Sequence, residues 1–193
     1  MSGFKRHRRS GASVATFTVL EADLLRSLAG QLFELLRNES ATAGVETDPL
    51  EELLDFSGPT TAPDDPVLAR LFPTAYPEDE EAAADFRRFT ESGLRDGKAG
   101  AAASIIDTLE EAGLSNEPAD GTFIDVELDE PTALTWMRSF TDMRLAIATR
   151  LEVEEGDEDY WHSLPDDDPR AQAHDIYEWV GYLQETVVEA LTS

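Results

Sequence analysis

The sequence predicts a mainly α protein: a single helical domain carrying a small two-stranded antiparallel ribbon. Three observations point there. Apolar residues recur at helical spacing over long stretches, above all within residues 20–36 and 171–191. Only residues 13–18 and 122–128 show the β-branched or alternating pattern of a strand. The chain has 193 residues, 41% of them hydrophobic, which suits one domain with a sizeable core.

Taken in order, residues 1–12 read as a flexible basic arm and residues 13–193 as the helical domain. Ser13 to Thr18 is the first strand. From Leu20 the period changes, and Leu20, Leu24, Leu28, Leu32 and Leu35 form a stripe widened by Leu25, Phe33 and Leu36. Gly30 interrupts that helix in a way that permits a close helix crossing. Residues 38–66 read as a loop with one short helix over 49–56, and residues 67–72 as another short helix stopped by Pro73. The aromatic–proline corner Phe72 to Pro77 should be extended, because each residue before a proline avoids helical dihedrals. Residues 78–98 form a helix with acids first and bases last, which complements its dipole. Gly97 and Gly100 mark a break before a second helix over 101–112, ended by Gly113.

Residues 122–128 are the second strand, paired with the first. Asp129-Glu130-Pro131 then opens a helix whose buried stripe is expected at Leu134, Met137, Phe140, Ile147 and Leu151. Residues 152–169 are an acidic loop. The last helix, over 171–191, places Ile176, Val180, Leu183, Val187 and Leu191 on one face. No internal repeat and no long heptad series is present.

Charge narrows the partners. Forty-one Asp and Glu face 15 Lys and Arg, a formal net charge of −26. Four of those bases, Lys5, Arg6, Arg8 and Arg9, fall in the first ten residues, leaving 41 acids against 11 bases elsewhere. Such a body repels phosphate backbones and anionic lipid, so only the arm could make a weak DNA contact. The chain has no cysteine, which excludes disulfides, thiolate catalysis and thiol redox sensing within it. No apolar signal region and no membrane-length apolar run appears, so a cytoplasmic location without membrane association is expected.

Catalytic signatures are missing from the pattern. There is no G-x-S-x-G elbow, no phosphate-binding glycine loop and no convincing ligand set for a metal, so no cofactor is expected. His174 and Glu178 share a helical face, but the remaining histidines, His7 and His162, make a poor metal site. Arg144 lies near an apolar stripe and calls for a partner; Asp85, Asp175 and Glu185 are candidates for a buried ion pair. The alternative is a ligand pocket around Arg144. Tyr160 and Trp161, in the acidic loop, are the candidates for an exposed partner contact, together with Lys5, Arg6, Arg8 and Arg9.

Five stretches, residues 24–36, 70–77, 81–91, 142–151 and 177–185, resemble an actinobacterial family catalogued as a domain of unknown function, which includes AosR-like oxidative-stress transcription regulators. The most distinctive are Arg70-Leu-Phe-Pro-Thr-Ala-Tyr-Pro77 and Tyr177-Glu-Trp-Val-Gly-Tyr-Leu-Gln-Glu185. The resemblance implies a helical domain without established enzyme activity. It also implies gene neighbourhoods shared with a Clp protease adaptor and sulfur-amino-acid functions, and regulation in which cysteines sense oxidation and an RNA polymerase sigma factor is the partner. With no cysteine here, thiol switching is not carried over. The expected function is a non-enzymatic regulator or adaptor that binds another protein, with transcription machinery as a candidate partner. Gly30 and Gly181 also allow a homodimer. The alternative is a small-molecule-binding protein or enzyme at Arg144.

Overall fold

The computed structural model describes residues 3–42, 58–116, 123–165 and 167–193. Among these, three strands, β1 (Lys5–Arg6), β2 (Ser13–Thr18) and β3 (Phe123–Leu128), accompany six helices. The helices are α1 (Val19–Thr42), α2 (Pro66–Leu71), α3 (Glu80–Glu111), α4 (Glu130–Leu151), α5 (Glu158–His162) and α6 (Pro169–Thr192). The mainly α expectation is correct, and the expected short helix over 49–56 lies outside the described residues.

The ribbon gains a strand that the sequence did not suggest. The sheet order is β1-β2-β3, antiparallel throughout, with Ser13 opposite Leu128, Thr18 opposite Phe123 and Lys5 opposite Val14. Alternation puts Ser13, Ala15 and Phe17 of β2 and Ile124, Val126 and Leu128 of β3 on the buried face. Residues 3–12, expected as a flexible arm, fold back as a hairpin. Gly11 supplies its positive φ of 72°, and His7 N–H donates to the Ala12 carbonyl at 2.7 Å. Phe4 fixes it. Its ring is 3% exposed and meets Phe17 and Trp136 edge-on at 5.8 and 5.7 Å, while its N–H donates to Thr186 Oγ1 at 3.0 Å.

Each principal helix begins with a recognisable cap. Thr18 and Glu21 form a reciprocal capping box at α1, with Thr18 N–H on Glu21 Oε2 at 2.8 Å and Glu21 N–H on Thr18 Oγ1 at 3.2 Å. Asp65, Asp79, Asp129 and Asp168 accept from backbone amides at the starts of α2, α3, α4 and α6. The acids that dominate the composition therefore do structural work at helix N-termini. At the far ends, α3 and α4 close with Schellman motifs. Leu114 N–H reaches the Leu109 carbonyl and Val153 N–H reaches that of Ala148, each at 3.0 Å. The residue in left-handed conformation is Gly113 in the first case and Glu152, at φ 58°, in the second.

Three local expectations change. The break at Gly97 and Gly100 is absent: α3 runs continuously for 32 residues, because Arg95, Ala99, Ala102 and Ile105 are buried through that stretch. Tertiary packing there outweighs the roughly 1 kcal/mol cost of each helical glycine. The acidic loop over 152–169 holds the short helix α5. The buried stripes of α1 and α4 are rotated from the expected ones. In α1 the buried residues are Ala22, Leu25, Ala29, Leu32 and Leu36, while Leu20 is 79% exposed. In α4, Ala133, Trp136, Phe140 and Met143 are buried, and Leu134, Met137, Ile147 and Leu151 lie at its margin.

The core lies where the sheet meets α1, α3, α4 and α6, with α1 packed chiefly on α3, and α4 on α6. A charged cluster joins it on α3. Glu91 is 2% exposed, receives Arg87 Nη1 at 2.5 Å and Arg95 Nη2 at 2.8 Å, and so binds the residues one turn before and after it. Arg87 also donates to the Phe72 carbonyl, and Arg95 lies over the Phe72 ring.

Candidate functional site

Arg144 stands half-buried on α4 facing α6, and its surroundings differ from expectation. None of Asp85, Asp175 and Glu185 pairs with it, and among the described residues it makes no salt bridge. Neutral groups hold it instead: Gln184 Oε1 accepts from Nη1 at 3.1 Å and the Tyr177 hydroxyl from Nη2 at 3.3 Å. Its guanidinium lies 5.1 Å from the Tyr177 ring centroid. Gly181 makes room for this, since a Cβ there would sit 3.2 Å from Nε. Gln184 in turn donates to Thr141 Oγ1 at 2.6 Å, so the side chain is positioned by a chain of polar contacts between α4 and α6.

Two clefts flank that arrangement. One, of ≈ 540 Å³, is lined by Arg70, Arg144, His174, Tyr177 and Glu178 with the acids Glu154, Glu155, Asp157 and Glu158. The other, of ≈ 760 Å³, lies toward the end of α6 and includes Glu185 and Glu189. Carboxylates outnumber guanidiniums in both. Among the described residues no group of three His, Cys, Asp or Glu is placed to hold a metal.

The expected aromatic contact divides. Tyr160 is 43% exposed, whereas Trp161 is 4% exposed and belongs to the packing of α5 on α6. Its ring stacks on His174 at 4.7 Å and 6°, and Arg170 lies 5.3 Å from its centroid while also donating to the Tyr160 hydroxyl at 2.8 Å. This is why His174 is buried: an aromatic neighbour holds it, with no ligand set around it. Of the basic residues, Lys5 and Arg6 sit in edge strand β1, and Arg8 and Arg9 occupy the hairpin turn with exposed side chains. Arg6 is partly spoken for by the Ala190 carbonyl at 3.4 Å.

Two further ion pairs fix the helices that frame the site. Lys98 Nζ meets Asp142 Oδ1 at 2.6 Å, joining α3 to α4. Burial pushes the Asp142 carboxyl up, and the Lys98 contact only partly opposes that. Arg150 meets Asp65 Oδ2 at 2.6 Å, joining α4 to the cap of α2. Burial raises the Asp65 carboxyl, yet the Arg150 hydrogen bond and the amides of Leu68 and Val67 together hold it below the usual range.

Sequence reasoning missed a third feature. The leucines displaced from the α1 core stripe border an apolar groove along α1, walled by α6 at one end and chiefly by α4 at the other. One compartment, ≈ 560 Å³, lies among Leu20, Leu24, Ile176, Trp179 and Tyr182. The next, ≈ 660 Å³, continues past Leu28, Gly30 and Leu35, with Met143, Ile147 and Leu151 of α4 beneath. The available signal was the width of the apolar arc on α1, which exceeds what one packed face requires.

The family described as a Domain of unknown function (DUF2017) matches residues 1–191. Among curated proteins, the chain is 32% identical over 185 residues to the putative oxidative stress regulator AosR of Mycobacterium leprae, covering 89% of this chain and 78% of that protein. It is likewise 32% identical, over 186 residues and the same shares, to the oxidative stress regulator AosR of Mycobacterium bovis and of Mycobacterium tuberculosis. No solved structure matches the chain.

Proposed function

The chain belongs to the DUF2017 family, and on that premise we propose that it is a non-enzymatic regulatory or adaptor protein acting through contacts with another protein. The observation that carries the reading is 32% identity across 89% of the chain to proteins named oxidative stress regulators. Stress response, transcription machinery and the cytoplasm are the corresponding setting. Because the 193 residues include no cysteine, regulation by this chain does not run through its own thiols. The net charge of −26 supports a basic partner surface, with fast association and weakening at high salt. The exposed side chains of Lys5, Arg8 and Arg9 add a short cationic edge suited to a weak DNA contact. No helix among the described residues is long and apolar enough to cross a membrane.

The test is a deletion strain complemented with the tagged chain and challenged with peroxide. Transcript profiles and co-purification at low and high salt are both read. A changed transcript set together with a salt-sensitive partner supports the reading; an unchanged profile with no partner overturns it.

A second reading has one specific observation behind it. Arg144, His174, Tyr177 and Glu178 line one cleft, and the guanidinium has no carboxylate partner among the described residues. A small zwitterionic ligand would suit two guanidiniums, Arg70 and Arg144, amid carboxylates. Thermal shifts with amino acids, compared between the parent chain and Arg144→Gln, test it; shifts equal in both reject it.

A further inference from the structure

We infer that the apolar groove along α1, walled by α6 at one end and chiefly by α4 at the other, is a docking site for a basic amphipathic helix of a partner protein, an inference that rests on the regulatory reading and gives it a surface. Four observations carry it. The first is unburied apolar area: Leu20 is 79% exposed, and Tyr182 across the groove is 38% exposed. The fold gains little from Leu20 being apolar.

The second is Gly30. A glycine inside a helix costs about 1 kcal/mol relative to alanine, and is expected where another helix crosses closely. A Cβ at Gly30 would meet nothing within 4 Å, so no neighbour in the described chain uses the space. Gly181, by contrast, is occupied by Arg144, and Gly93, Gly97 and Gly100 of α3, though as open as Gly30, line neither compartment. Gly30 lies on the wall of the larger compartment, where an incoming helix would approach the α1 backbone.

The third is shape. From Leu20 to Leu35 the α1 wall runs about 22 Å at 1.5 Å per residue, the length of a helix of roughly four turns. Leu20, Leu24, Leu28 and Leu35 repeat at intervals of four and seven, the spacing that receives the i, i+4, i+7 anchors of a docked helix. The fourth is charge, which selects the occupant. Glu21, Glu34, Asp175 and Glu178 rim the groove, against Arg150 alone, and Arg150 already holds Asp65. A second copy would bring the same acids to the same rim. A helix with lysine or arginine flanking its apolar stripe meets it with opposite charge.

The probe is a fluorescein-labelled peptide of about 18 residues, leucine at every third or fourth position and lysine elsewhere, long enough to fill the groove. Controls are a scrambled peptide of the same composition and a version with glutamate in place of lysine. Anisotropy is measured with the full chain, with Leu20→Glu and with Gly30→Leu, alongside sedimentation for self-association. The reading expects the amphipathic basic peptide to bind at least about tenfold tighter than either control. Each variant should weaken it about tenfold, a loss of about 1.4 kcal/mol. Circular dichroism should show both variants folded, with Gly30→Leu more stable than the parent. Equal binding of the scrambled peptide would mean charge attraction alone and overturn the proposal. So would absence of binding, or self-association that Leu20→Glu abolishes. A partner that co-purifies equally with both variants defeats the groove while leaving the regulatory function standing.

Discussion

Replacing Glu91 by glutamine tests how this acidic protein holds charge inside its core. Glu91 is the shared acceptor for Arg87 and Arg95, and the three side chains are 3%, 7% and 10% exposed. Without the carboxylate, two guanidiniums face one another across a neutral amide in a low-dielectric setting. Breaking a buried pair in this way costs about 3–5 kcal/mol. Arg87 keeps the Phe72 carbonyl, and Arg95 keeps the Leu36 carbonyl and the Phe72 ring among its contacts, so the low end, about 3 kcal/mol, is expected here. For a domain of this size that corresponds to a fall in Tm of about 6–12 °C. Urea unfolding should show a lower midpoint at unchanged slope. Changing all three residues together, as Arg87→Met, Glu91→Leu and Arg95→Met, removes the charges along with their desolvation cost and should recover most of the loss. A loss below about 1 kcal/mol for Glu91→Gln, with a larger loss for the triple variant, would refute the reasoning.

Substitutions at three other positions probe the scaffold. Asp65→Ala should cost about 1 kcal/mol at neutral pH by removing the α2 cap. Because the Asp65 carboxyl is held below its ordinary value of 3.8, its contribution is present above that pH and lost as pH falls through the folded value; Asp65→Asn should flatten that part of the stability curve measured by urea titration. Glu152→Gly should stabilise the chain by up to about 1 kcal/mol in thermal melts, since it relieves a left-handed residue at φ 58° that closes α4. Gly58→Ala should destabilise by about 1–3 kcal/mol, because its Cβ would lie 2.2 Å from the Arg88 carbonyl oxygen and backbone must move.

What could be read from the sequence was what local chemistry dictates. β-Branched character marked β2 and alternation β3, and the Asp-Glu-Pro start of α4 and the Gly113 stop of α3 are each present. The failures share a cause, which is long-range packing. A single apolar residue, Phe4, turns a charged N-terminal segment into a third strand, and no periodic signal announces one residue. Trp161 leaves the solvent because His174, thirteen positions later, offers a parallel ring. Arg144 finds neutral partners because Gly181 and Gln184 open and line the space opposite, which hydropathy cannot register.

Helix α1 carries the most consequential mismatch. Leucine density selects Leu20, Leu24, Leu28, Leu32 and Leu35 as its core stripe, yet the face that is buried includes Ala22 and Ala29, both at 0% exposure. Alanine scores low in a hydropathy count but allows neighbouring backbone to come close, and packing density decides which face wins. Leucines beside the winning face then have no core to enter. Leu20, at 79% exposure, gains little from folding, so Leu20→Glu should move stability by no more than about 0.5 kcal/mol. Stability therefore does not explain an apolar residue at that position of a chain so rich in acids. Recognition does, if the same substitution that leaves the fold intact removes a helix from the groove.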